Sequence, residues 1–453
     1  MSEREFDAIV LGGGPAGEVA AGRLADGGLD VVLVEGHLIG GECSFYACMP
    51  SKGLLRPGEL LAEVRRIPGV REAVTGELDA GAALKRRDEI IHDLDDSTQE
   101  PWLDNKGVKL VRGHGRLDGE RRVRVDDEVL TARHAVIVAT GSCANVPPID
   151  GLSEAKPWSN REATTSKSVP ERLVILGGGV VGVEMAQAWS TLGSQVTIVE
   201  AADRLIATEE PFASDDVAAG LHERGVDVHL GMKATRAAAQ DGEIVLELET
   251  GGPFRGTELL VAVGRRPQTD DIGLDSVGLQ PGKPIETDDS MRANDWLYAV
   301  GDVNGRVLLT HMGKYQARVA ADTILGEEAR ISEDGARSPR VIFTDPQVAA
   351  VGYTLDAARQ EGLNVRAVDV STQGNAGASF YGRESRGTTR LVIDEDRGVV
   401  AGATFTGWEI ADFLHAATVA VVGEVPLERL AHAVPSFPTR SEVWLKLLEE
   451  YGL

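Results

Sequence analysis

The chain has 453 residues, 42% of them hydrophobic, which is enough for about three domains with cores of their own. Its formal net charge of −25 argues against nucleic acid and against anionic membranes, both of which call for a basic surface. No apolar run reaches the ~18 residues of a membrane span and no basic leader precedes the first strand, so a cytoplasmic protein without a membrane partner is expected.

A first strand is predicted over Phe6 to Leu11. The glycines Gly12, Gly14 and Gly17 follow in GxGxxG spacing, then an amphipathic helix and a second strand that closes on Glu35. Gly12 permits the tight strand-to-helix turn, Gly14 lets the backbone approach a pyrophosphate, and Gly17 allows the helix to pack close to the strand. The helix N-terminus then offers free N–H groups and a favourable dipole to the phosphates. Glu35 stands where a carboxylate accepts hydrogen bonds from ribose hydroxyls.

Residues 40–52 read GGECSFYACMPSK and carry Cys43 and Cys48, two of only three cysteines. On one ideal helix an i,i+5 pair lies about 8.6 Å apart by helix geometry. The limit for a disulfide is roughly 7 Å, so bridging requires a distorted first turn. Pro50 fits only near a helix start. In a reducing compartment such a pair points to redox catalysis rather than to a structural bond. No further Cys or Cys/His pair stands at ligand spacing, and no metal site is expected. Cys143, after Ala139-Thr140-Gly141-Ser142, reads as small packing.

Residues 175–200, ILGGGVVGVEMAQAWSTLGSQVTIVE, repeat residues 10–35 without a gap. Gly177, Gly179, Gly182 and Glu200 take the places of Gly12, Gly14, Gly17 and Glu35. Moving electrons from a hydride donor to a disulfide calls for a flavin between them. The copy beside the cysteines is therefore assigned FAD, and the second copy the nicotinamide cofactor. Glu200 would repel a 2′-phosphate, favouring NAD(H) over NADP(H), and Arg204 nearby pulls the other way.

These residues resemble the class I pyridine nucleotide–disulfide oxidoreductases, the family of dihydrolipoamide dehydrogenase, glutathione reductase and mercuric reductase. The likeness spans essentially the whole chain. It includes Val300-Gly301-Asp302, similar to the family's second flavin motif, and Val263-Gly264-Arg265-Arg266-Pro267, similar to the segment that returns from the nicotinamide domain. Phe343-Thr344-Asp345-Pro346 to Gly352 resembles the opening of the interface domain. The resemblance implies an α/β fold with two Rossmann-like dinucleotide-binding domains, glutathione reductase-like, plus an α+β dimerisation domain. It places the FAD domain at 1–154 and 270–338, the NAD(P)H domain at 155–269 and the interface domain at 339–453, in a homodimer whose active sites draw on both subunits. Carried over by position, Cys43 is the interchange thiol and Cys48 the flavin-facing thiol. Lys52, paired with Glu184, lies near the flavin's reactive nitrogen, where the pair keeps the lysine charged and stabilises the reduced, anionic flavin. Asp302 binds the ribityl chain, Gly141 and Gly264 belong to the cofactor sites, and Thr310 and His311 open a helix aimed at the flavin ring. The run Trp408 to Val422 reads as a helix suited to a subunit interface or to a core.

One position departs from the pattern. The family's disulfide reductases carry His-Pro-Thr-x-Ser-Glu near the C-terminus, and its histidine shuttles the proton of the interchange thiol. Here the segment is Phe437-Pro438-Thr439-Arg440-Ser441-Glu442. A positioned acid–base is worth typically about 10²–10⁴-fold, and a free cysteine with pKa near ~8.5 is only a few per cent thiolate at neutral pH. Glu42, where the family has threonine, is expected to raise the thiol further. Tyr46, Arg440 and His432 are the substitutes at hand, Arg440 being equally suited to pairing with Glu442, and His432 reading as a helix-surface histidine. Mercuric reductase also lacks the histidine, but it carries a C-terminal cysteine pair where this chain ends Glu449-Glu450-Tyr451-Gly452-Leu453.

The expected function is an FAD-dependent NAD(P)H oxidoreductase that passes electrons through Cys43 and Cys48 to a small disulfide or related sulfur acceptor. The alternatives are a quinone or metal-ion reductase on the same fold, and a low-turnover flavin-binding redox sensor.

Overall fold

The computed structural model describes residues 2–382 and 386–453. They pack as two compact units: 1–50 with 88–145 and 265–335, and 51–87 with 146–264 and 336–453.

The first unit is built on strand β1 (Ser2–Leu11), helix α1 (Pro15–Asp26) and strand β2 (Val31–Glu35). β1 begins at Ser2 rather than at Phe6, because its polar start pairs in parallel with 128–132, where the ladder needs only backbone. The sheet runs Lys109–Arg112, β2, β1, Glu128–Val138, Arg122–Val125, Gly115–Leu117, and Leu297–Ala299 joins the far half of Glu128–Val138. The strands around β1 are parallel and covered on both faces, so they read as near-continuous apolar runs. One face packs on α1 and on the helix Thr310–Ile324, with Val10, Leu33 and Ala317 fully buried.

The second unit repeats the theme. Its parallel sheet runs Asp227–His229, Gln195–Val199, Arg172–Leu176, Glu258–Val261, and the helix Val180–Thr191 follows the second glycine loop. A three-stranded antiparallel sheet at 234–256 lies beside it. Residues 336–453 supply a five-stranded antiparallel sheet, order Arg340–Ile342, Gln347–Gly352, Val399–Gly407, Thr388–Asp394, Val365–Ser371, packed on helices near the C-terminus. One core links Leu54 and Leu55, Trp189 of the Val180 helix, and Ile342 and Val348 of this last sheet. Ion pairs on buried carboxylates join the same segments: Glu209 with Arg340, Glu210 with Arg390, and Asp345 with both Arg66 and Arg224.

The expected helix over Trp408 to Val422 is shorter than its pattern. Glu409 holds a positive φ of 47°, which stops a helix from starting there, and the α-helix covers Leu414–Val422. Leu414, Ala417, Ala420 and Val421 face the core while Val419 and Val422 stay exposed. Among the described residues no helix is long and apolar enough to cross a membrane.

Candidate active site

The two glycine loops are near copies in three dimensions. Each leads into a 12-residue helix whose N-cap, Gly14 or Gly179, has no side-chain cap, leaving the first N–H groups without a side-chain acceptor. A Cβ at Gly14 or Gly179 would meet nothing within 4 Å, so the backbone is open to an approaching anion. A Cβ at Gly17 or Gly182 would run into the carbonyl of Gly12 or Gly177, which ties the third glycine to close packing. Glu35 Oε2 accepts the N–H of Gly13 at 2.6 Å, and its Oε1 accepts that of His37 at 2.6 Å. Glu200 does the same with Gly178 and, at 2.7 Å, with Ala202. Each carboxylate thus clamps its own loop and keeps lone pairs for a ribose. Both cradles fit a dinucleotide. Arg204 is turned away from such a role: its guanidinium donates to the carbonyls of Glu209 at 2.8 Å and Ala207 at 2.6 Å.

Glu18, in the first turn of α1, is a half-buried carboxyl that composition could not single out. Burial pushes its pKa up to about 7, the Lys314 ammonium opposes that, and Glu35 adds to it.

The cysteines sit on two helices, not in one distorted turn. Cys43 is in α2 (Gly41–Phe45), Cys48 opens α3 (Cys48–Arg66), and the chain breaks at Tyr46. The reason is Pro50. It has no N–H for the Tyr46 carbonyl, so a helix running through both cysteines would lack that rung. Neither cysteine is in a disulfide, and both are half-buried. Cys48 Sγ lies 3.4 Å from the hydroxyl of Thr310, the first residue of its helix. The Cys48 thiol, then burial, raise the Cys43 pKa above the ordinary cysteine range, and Thr310 and Lys314 pull it back only in part.

Glu42, expected to act on Cys43, also has a cationic neighbour. Its carboxylate faces Arg265 Nη2 at 3.6 Å, and that guanidinium also donates to the Ser142 carbonyl at 2.8 Å and hydroxyl at 2.7 Å. The Ser142 hydroxyl reaches Asp302 Oδ2 at 2.5 Å. Burial raises the Asp302 pKa, with Arg265 opposing, so this carboxyl is placed to bind hydroxyl groups. Gly141 beside Ser142 has a positive φ of 74° and accepts the Gln268 N–H at 2.9 Å. Gly264 also has a positive φ, 119°, and His311 is exposed in the first turn of its helix.

Lys52 is not the solvent-facing helix residue its polarity permits. Its Nζ donates to Glu184 Oε2 at 2.7 Å and to Ser51 Oγ at 3.3 Å. Glu184 is 3% exposed, and its other oxygen accepts the Phe343 N–H at 3.0 Å. Sequence reading named the pair but missed Phe343, whose only signal is its place at the head of the interface segment.

Near the C-terminus the Phe437 ring is 76% exposed and Val434 is 83% exposed. Glu442 accepts a long hydrogen bond, 3.4 Å, from the Gly377 N–H. Arg440 does not pair with Glu442. It is buried between the rings of Tyr381 and Phe413, at 4.8 and 5.0 Å, and burial lowers its pKa. His432 is exposed just past the short helix Leu427–Leu430, not on a helix surface. Among the described residues no cluster of His, Cys, Asp or Glu could hold a metal ion.

Residues 6–320 match the model of the pyridine nucleotide-disulphide oxidoreductases, and residues 338–448 match that family's dimerisation domain. The chain is 32% identical over 452 residues to dihydrolipoyl dehydrogenase 2 of Haloarcula marismortui, covering 96% of this chain and 94% of that protein. It is 30% identical over 456 residues to the dihydrolipoyl dehydrogenase of Haloferax volcanii, covering 97% and 95%. It is 28% identical over 450 residues to the mercuric reductase of Lysinibacillus sphaericus, covering 98% and 82%. Two solved structures share the fold at a TM-score of 0.86. The HOCl-induced flavoprotein disulfide reductase RclA of Escherichia coli is 24% identical, with 98% and 99% of the chains covered. LpdA of Mycobacterium tuberculosis is also 24% identical, with 100% of both covered. The chain belongs to the FAD-dependent pyridine nucleotide-disulfide oxidoreductases and carries their dimerisation domain.

Proposed function

We propose that this enzyme uses NADH to drive the reduction of a small disulfide or related sulfur acceptor through Cys43 and Cys48. The observation that carries the reading is the pair itself: two half-buried cysteines on successive, closely spaced helices, Cys48 lying 3.4 Å from the hydroxyl that opens the Thr310 helix. In this reading the flavin domain is 1–154 with 270–338, the nicotinamide domain 155–269, and the interface domain 339–453. Gly12, Gly14, Gly17, Glu35, Gly141, Asp302 and His311 hold FAD; Gly177, Gly179, Gly182, Glu200 and Gly264 hold the nicotinamide cofactor. Bound there, FAD supplies the step that converts a hydride into an electron pair usable by a disulfide.

Cys43, as thiolate, attacks one sulfur of the acceptor and releases the first thiol, which takes up a proton. Cys48 then attacks the Cys43 sulfur of the mixed disulfide, releases the second thiol and closes the Cys43–Cys48 bond. Two electrons leave the enzyme in one cycle. Lys52 with Glu184 keeps a positive charge where the family has its flavin-side lysine. NADH is favoured over NADPH because Glu200 stands at the ribose end while Arg204 is held by carbonyls.

A second reading, a quinone or metal ion as acceptor, draws on Phe437. An exposed ring replaces the imidazole that would serve sulfur chemistry, and such acceptors need no proton shuttle at Cys43. Steady-state assays against lipoamide, glutathione-type disulfides and quinones separate the two. A dominant disulfide activity lost in Cys43→Ser supports the first reading. Turnover that survives Cys43→Ser refutes it.

A further inference from the structure

Phe343 takes no part in the chemistry above, yet it touches both members of the Lys52–Glu184 pair. Lys52 Nζ stands over the Phe343 ring, 4.7 Å from its centroid, inside the ~6 Å range of a cation–π contact. The carboxylate of Glu184 divides its oxygens between the two, Oε2 on the Lys52 ammonium at 2.7 Å and Oε1 on the Phe343 N–H at 3.0 Å. One turn along the same helix, Gln187 Oε1 accepts the Asp345 N–H at 2.6 Å. The segment beneath the lysine is therefore fastened at two points to the helix that carries its counter-ion. Lys52 needs such a support. Its side chain is 36% exposed, and a long, half-exposed lysine held by a single ion pair keeps much of its rotamer freedom.

We propose that Phe343 is a positioning residue for Lys52. Its ring gives the ammonium an apolar surface beside the Glu184 carboxylate and the longer Ser51 contact, so that one location of Nζ is favoured between the carboxylate and the ring. The inference rests on the reading of Lys52 as the flavin-side lysine. Through that lysine, Phe343 sets how steadily a positive charge bears on the reduced flavin.

The test uses FAD-loaded enzyme in five forms: wild type, Phe343→Leu, Phe343→Tyr, Lys52→Met, and protein with trifluorophenylalanine placed at 343, which keeps the shape but weakens the ring's negative face. Flavin midpoint potential and the rate constant of flavin reduction at saturating NADH are measured for each. Phe343→Leu and the fluorinated ring are expected to slow reduction about threefold to tenfold. They should also lower the midpoint in the same direction as Lys52→Met, by less, with KM for NADH within about twofold of wild type. Phe343→Tyr restores both values. If Lys52→Met shifts the midpoint but the fluorinated ring does not, the inference is overturned and the reading of Lys52 stands. If Lys52→Met leaves the midpoint unchanged, both are overturned. Should Phe343→Leu fail to fold, the fluorinated ring alone decides.

Discussion

Glu18 makes stability depend on pH in a direction opposite to most carboxylates. Its folded pKa of about 7 lies above the 4.5 of an exposed glutamate, with burial as the main cause. Between those values the folded state binds more protons than the unfolded chain, so stability is fully present below pH 4.5 and is lost as pH rises through 7. The shift corresponds to about 3 kcal/mol at pH 8 and less than about 1 kcal/mol at pH 5. Glu18→Gln removes the charge while keeping the size, and should stabilise FAD-free protein by about those amounts at the two pH values. Urea unfolding of wild type and variant, followed by circular dichroism at pH 5 and pH 8, measures the difference. A gain that is the same at both pH values, or a loss at pH 8, would refute the assignment of a half-buried, readily protonated carboxyl.

The raised Cys43 thiol predicts that interchange with a small disulfide climbs with pH, about tenfold per unit from pH 7 to 9, because only the thiolate attacks. A plateau beginning below pH 8 in stopped-flow oxidation of the reduced enzyme would contradict it. Phe437→His should raise disulfide turnover at pH 7 by at least about tenfold, part of what a positioned acid–base supplies, and leave quinone reduction within about twofold. No gain in either assay would show that the missing imidazole is not what limits sulfur chemistry. Glu200→Ser is expected to raise the NADPH-to-NADH ratio of kcat/KM about tenfold by removing a charge from the ribose end. Arg204→Ala, whose guanidinium already serves carbonyls, should move that ratio by less than about twofold.

What could be read in the sequence was whatever is local. The glycine spacing is covalent, so both cradles and their closing glutamates were visible twice over. The cysteine pair was visible for the same reason, but its geometry was not. A single helix through both cysteines is ruled out by Pro50, which lies in the first turn of a second helix and leaves the thiols on separate ones. Contacts across the fold left no trace in periodicity. Cys48 and Thr310 are separated by 262 positions. Lys52 and Glu184 are separated by 132, and only the family resemblance joined them. Glu42 stands beside Cys43 in the chain, and its contact with Arg265, 223 positions away, is not visible in the sequence. Proximity in sequence offers Glu442 as one partner for Arg440, but a flat guanidinium stacks well between aromatic rings, and Tyr381 and Phe413 flank it.

The twin carboxylate clamps carry a kinetic consequence. In the proposed assignment one cradle keeps its dinucleotide through many cycles, while the other must release its own after each hydride transfer. Yet Glu35 and Glu200 brace their loops through the same pair of main-chain N–H groups. Residence time therefore cannot be set by the loops. The first copy has more beyond its loop: the strand Leu297–Ala299 leads to the half-buried Asp302, held through Ser142 to Arg265. The second copy ends at Glu258–Val261 followed by Ala262, Val263 and Gly264, three residues without a polar side chain. In that assignment a duplicated cradle serves as a permanent holder in one copy and a turnstile in the other through what surrounds it.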